Sequence, residues 1–180
     1  AKRLLRRTLA QLRDPIDRGI PIVGLEPSCV SVFRDEMRNL MPQDPLANRM
    51  REQTFLFSEF LTEHAKGVAL PRLQRRAVVH GHCHHKSLFG MSDEEKVLER
   101  LGVEAQVLDT GCCGMAGSFG FEAGEKYEVS VKVAEQRLYP AVRSTDDETL
   151  LVADGFSCRE QIRQGTNRQP LHVAEVAHAA

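Results

Sequence analysis

No apolar run in the chain approaches the roughly 18 residues that a membrane span needs. The first residues, AKRLLRRTLAQLRD, are basic but lack the apolar stretch of a secretory signal. Neither charge sign is in excess. With 24 basic and 25 acidic residues the formal net charge is −1, which gives no reason to expect nucleic acid or a membrane surface as partner. No internal repeat, low-complexity tract or Ser/Gly-rich linker divides the sequence. Its 180 residues, 42% of them hydrophobic, suit a single domain, residues 1–180, with a real core. Leu5, Leu9, Leu12 and Ile16 share one face of an amphipathic helix, a better reading than a transit peptide. The chain starts on Ala inside that helical pattern, so the expectation is a fragment of a longer polypeptide.

Cysteine is present five times, an odd count that would leave a thiol unpaired in a secreted domain. A reducing, cytoplasmic compartment is expected instead, with peripheral membrane association left open. There, clustered thiols point to metal or catalysis rather than disulfides.

Five short apolar runs read as strands: Pro21–Leu25, Ala77–His80, Ala105–Leu108, Leu150–Ala153 and Leu171–Ala174. They are too continuous to be half-exposed, which suits strands buried between helical layers. Helical patterns lie between them. One follows Cys29 and stops at Pro42, and one spans Arg49–His64. A third opens on a Ser92/Glu95 capping box and ends at Gly102, and the last runs from Gly124 to Tyr139 before Pro140. The expected fold is α/β, a three-layer sandwich on a mostly parallel sheet of four to five strands.

On this map Cys29, Cys83, the pair Cys112–Cys113 and Cys158 each follow a strand, and none lies within one. Loops at the carboxyl ends of parallel strands share one edge of the sheet, where such folds bind ligands. Buried core cysteines would fall within strands as often as beyond them. The five thiols are therefore expected to converge.

The strongest local signal is DTGCCGMAGSFGFE, from Asp109 to Glu122. Adjacent cysteines make a strained mutual disulfide but can both serve one metal centre. Gly111, Gly114 and Gly117 permit close backbone approach, so that amides can point at sulfur. The loop feeds a helix near Gly124 whose N-terminus favours an anionic group. The second signal is HGHCHHKS, His80 to Ser87. It offers zinc-type donors without the paired spacings of a zinc finger, and His82, His84 and His85 stand as ligands or as hydrogen-bond donors to a site. In LEPSC (Leu25–Cys29) and DGFSC (Asp154–Cys158), Ser28 and Ser157 suit helix capping or bonds to the site. Glu26 is an acid/base candidate or a structural partner, and His172 belongs to no motif.

The elements LEPSC, HCH (82–84), GCCGMAGSFG (111–120) and GFSC (155–158) resemble the cysteine-rich CCG domain of the iron–sulfur oxidoreductase family. That family includes iron–sulfur subunits of glycolate oxidase and anaerobic glycerol-3-phosphate dehydrogenase. EPSCVSVFRDE is most similar to the C-terminal part of FAD-linked D-2-hydroxyacid dehydrogenase fusions. Two departures stand out: a single CC pair, and Gly155 where the pattern often closes with CxxC. The resemblance thus implies a simple 4Fe–4S cluster on Cys83, Cys112, Cys113 and Cys158, with Cys29 as fifth candidate, rather than a double-cubane-like one. It further implies FAD in a partner dehydrogenase domain or subunit, and a quinone or other acceptor. The fragment alone, with no recognisable flavin site, is not expected to turn over substrate. A zinc-stabilised structural domain and a thiol/disulfide-active reductase remain the alternatives.

Overall fold

The computed structural model describes all 180 residues. At its centre are three parallel strands, β1 (Ile22–Gly24) and β2 (Thr54–Leu56) forming a separate parallel pair beside them. The central three are β3 (Arg75–Val79), β4 (Val103–Val107) and β5 (Leu150–Val152), in the order β4-β3-β5. Register runs Ala77↔Ala105 and Ala77↔Leu150 across β3.

Alternation along β3 divides two cores, because successive side chains of a strand point to opposite faces. Val78 packs with Cys113, Met115, Leu138, Tyr139 and Ile162 on one face. Ala77 and Val79 pack with Leu98, Leu101, Val173 and Val176 on the other. Fully burying each large aliphatic side chain contributes about 1.5–3 kcal/mol. A third cluster joins Leu5, Leu9 and Ile16 of the N-terminal helices to Met37, Leu46 and Met50. The α/β class and layered, parallel arrangement are as expected, with the strands divided between two sheets.

Three local expectations are corrected. The helix expected over Arg49–His64 is broken. Pro45–Glu52 and Phe57–Glu63 are helical, and β2 lies between them. Pairing with β1 overrides the helical period there. Thr54 Oγ1 closes the first helix by donating to Met50 O at 2.6 Å, and Glu59 Oε2 starts the second by accepting from the Leu56 amide at 2.8 Å. Second, Ser92 is the first helical residue rather than the cap, and Met91 holds the cap position without a side-chain bond. Third, Pro140 stops nothing. It lies in the first turn of a new helix, Leu138–Arg143, where a missing N–H costs little. Leu171 joins the sheet only through an isolated bridge to Val152.

The helix Pro45–Glu52 has a side-chain cap: Asp44 Oδ1 accepts from the amides of Leu46 (3.0 Å) and Ala47 (3.2 Å). Asp44→Ala should therefore cost about 1 kcal/mol in urea unfolding.

Candidate metal centre

The loops leaving β3, β4 and β5 meet at one edge. His80 prolongs β3, its amide donating to Val152 O at 2.8 Å. Its Nδ1 lies 2.6 Å from Thr110 Oγ1, which ties the β3 loop to the β4 loop. The β1 loop is stapled on by Glu26. Its Oε1 accepts from Ser28 Oγ at 2.7 Å and its Oε2 from the Phe156 amide at 2.6 Å. Glu26 is thus a structural partner of the cysteine-bearing loops, and Ser28 serves that staple. His172 is structural too: Nδ1 accepts from the Ala174 amide at 2.9 Å and Nε2–H donates to Leu25 O at 2.7 Å.

Four of the five thiols neighbour one another in the order Cys83, Cys112, Cys113 and Cys158, with His80 beside Cys158. Cys83 and Cys112 are exposed; Cys113 and Cys158 are buried, at 5% and 1% exposure. The four alternate in character. Cys83 is pushed up by its bond to Cys112 and by burial, and Cys113 by its bonds to Cys112 and Cys158. Cys112 is pulled well down by the hydrogen bonds it receives from Cys113 and Cys83. Cys158 is lowered to about 5, first by the bond from Cys113 and, against its burial, by His80 and His82. Four sulfurs this close can all be thiolates only if a cation binds among them.

The glycine loop adds an amide donor. Gly114 N–H donates to Cys112 Sγ at 3.3 Å. Gly114 has φ +94°, and a Cβ there would lie 2.3 Å from Ser130 O. Gly111 and Gly117 also have positive φ, at +65° and +66°, but face open space. The helix beginning at Glu125 holds this loop through Ser130, and carries no thiol at its N-terminus. The thiols lie instead in the first turns of other helical segments: Cys158 in Phe156–Gly165, Cys29 in Pro27–Ser31 and Cys83 at the turn leading into His85–Phe89. A helix N-terminus favours thiolate. For Cys29 and Cys158 the sequence signal was the serine just before each, Ser28 and Ser157.

Cys29 stands apart from the other four thiols. Its exposed thiol is raised by partial burial and by Glu26, with no bond to another cysteine. Among the histidines, His82 is buried, and its Nδ1 accepts from the His84 amide at 3.2 Å. His84 Nδ1 lies 3.2 Å from Ser31 Oγ, and His85 turns inward toward Glu94. Ser157 has no side-chain bond to the sulfurs.

Gly155 explains itself in this setting. A Cβ there would lie 2.4 Å from His82 Cδ2 and 3.2 Å from Cys158 Sγ, so the His82 ring occupies the space a side chain would need. Gly155→Cys should cost about 1–3 kcal/mol by overpacking. Combining it with His82→Ala should recover most of that loss in the urea midpoint.

Comparison with curated proteins identifies relatives over most of the chain. It is 34% identical over 172 residues to D-2-hydroxyglutarate dehydrogenase of Pseudomonas putida, a match covering 94% of this chain and 16% of that protein. It is 28% identical over 159 residues to one subunit of the anaerobic glycerol-3-phosphate dehydrogenase of Escherichia coli, covering 86% of this chain and 39% of that polypeptide. With lactate utilization protein A of Bacillus velezensis the identity is 27% over 194 residues, covering 99% and 77%. The chain thus spans only 16% of the length of the Pseudomonas dehydrogenase. No family model and no solved structure matches it. Through these relatives the chain belongs to the cysteine-rich CCG-domain family.

Proposed function

We propose that the chain is the iron–sulfur electron-transfer module of a flavin-linked dehydrogenase. The observation that carries this reading is the contiguous set of four sulfurs drawn from three strand ends. Four cysteine thiolates are the donor set of a 4Fe–4S cluster, which when bound supplies one-electron transfer. Cys83, Cys112, Cys113 and Cys158 are the proposed ligands, with Cys29 of the adjoining helix Pro27–Ser31 as fifth candidate. Buried Cys113 and Cys158 would hold the inner side of the group, while exposed Cys83 and Cys112 leave an outer side for electrons to enter and leave.

The Gly114 amide already donates to sulfur, and such a bond stabilises the more negative, reduced state. Gly111 and Gly117 would give the loop its reversals around the group. The names of the relatives support a donor of the FAD-linked D-2-hydroxyacid dehydrogenase type in a partner domain or subunit. A quinone is the proposed acceptor. No helix is long and apolar enough to cross a membrane.

A zinc-stabilised domain is the second reading, because four neighbouring thiols are also a donor set for tetrahedral zinc. The test is redox. After anaerobic reconstitution with iron and sulfide, photoreduced flavin should bleach the visible absorption of the chain. A reconstituted chain that a strong reductant bleaches but reduced flavin does not would overturn the assignment to a flavin-linked system.

A further inference from the structure

A second group of metal-ligating side chains lies in the interior, distinct from the sulfurs. His85 comes from the turn after Cys83, Glu94 from the first turn of the helix Ser92–Arg100, and Asp154 from the end of β5. All three are buried, at 2%, 1% and 4% exposure. One donor atom from each lies within 4.8 Å of the other two.

Three of these buried atoms have no hydrogen-bond partner: His85 Nδ1 and both carboxylate oxygens of Glu94. Leaving a buried carboxylate unpartnered is among the costliest arrangements a fold can hold. Two carboxylates in one dry site also repel each other. A single divalent cation removes both penalties, since two negative carboxylates and a neutral imidazole then sum to zero charge.

The spacing agrees. His85 Nδ1 and Glu94 Oε2 are 3.3 Å apart. A charge-assisted N–H···O bond is shorter, about 2.7–2.9 Å. Two ligands each about 2.0–2.2 Å from a tetrahedral ion stand about 3.3–3.6 Å apart, the edge of the tetrahedron. Asp154 is held in place from behind, as metal-binding carboxylates usually are. Its Oδ1 accepts from the Val173 amide at 2.9 Å and lies 3.5 Å from His172 Nε2. His172, with both ring nitrogens engaged, orients the group and is not a ligand.

We propose that His85, Glu94 and Asp154 form a buried site for one divalent first-row transition-metal ion, independent of whatever the cysteines bind. The ion would tie the β3 loop, the following helix and the end of β5 together. It would thereby fix the segments that carry Cys83 and Cys158.

Zinc is the probe. A variant with all five cysteines changed to serine removes competition from sulfur. Chelator-stripped and refilled, it should retain about one zinc per chain through gel filtration, with nitrogen and oxygen scatterers only in X-ray absorption. Glu94→Gln, which keeps the side-chain shape, should weaken zinc binding in that background by about two orders of magnitude. If the serine variant does not fold by circular dichroism, the comparison moves to the cysteine-containing chain, where Glu94→Gln should lower zinc content by one equivalent. A folded serine variant without zinc, or zinc content unchanged by Glu94→Gln in either background, overturns the proposal.

Discussion

Replacing Cys113 with serine should reduce the iron incorporated on anaerobic reconstitution to below about a tenth of the wild-type amount, because a site's affinity rests on its complete donor set. Cys113 lies between Cys112 on one side and Cys158 on the other. It is 5% exposed and packs within the cluster that includes Val78, Met115 and Ile162, so no neighbouring donor can swing in to take its place. A serine hydroxyl is a hard donor that iron–sulfur centres seldom accept. Cys29→Ser provides the contrast. Cys29 is exposed and bonded to no other sulfur, and its loss should leave most of the iron in place. Iron and acid-labile sulfide assays on both variants, side by side, check the pair.

The second large effect falls on the backbone. Gly114→Ala should destabilise the chain by about 3 kcal/mol or more, because two of the mechanisms that give large losses act together. Its φ of +94° is strained for any L side chain, and the new Cβ would lie 2.3 Å from Ser130 O. That carbonyl is already held by Gln161 Nε2 at 3.0 Å, so the displacement passes to the helix that carries Cys158. Iron binding should fall along with stability. Gly111→Ala, at φ +65° with open space around it, carries only the backbone penalty and should cost about 1 kcal/mol. Urea unfolding of the two variants separates steric from conformational cost.

Placement of the thiols at strand ends was legible because the strands before them read as short apolar runs, although the full burial expected of them holds only for the ends of β3 and β5: Val23 of β1 and Glu104 and Gln106 of β4 are exposed. Cysteines so placed had to share an edge of the parallel sheet. The separation of Cys29 was not legible: β1 pairs with β2, and β2 is hidden in a stretch whose apolar spacing reads as one helix through Arg49–His64. Only the tertiary pairing with β1 shows it. Nor was the His85–Glu94–Asp154 group visible. Glu94 lies in SDEEKV, which reads as an ordinary acidic first turn facing solvent, yet the helix turns that one carboxylate inward. The role of His82 was half legible. The absence of a cysteine at 155 was plain, but the imidazole filling its place comes from more than seventy residues earlier in the chain.

The most direct test of the central claim is the iron and acid-labile sulfide content of the wild-type chain, purified or reconstituted without oxygen. A four-sulfur cluster site predicts about four iron and four sulfide per chain, with a brown colour that a one-electron reductant bleaches. Stoichiometric zinc on the cysteines, with no sulfide and no visible absorption after reconstitution, would contradict it.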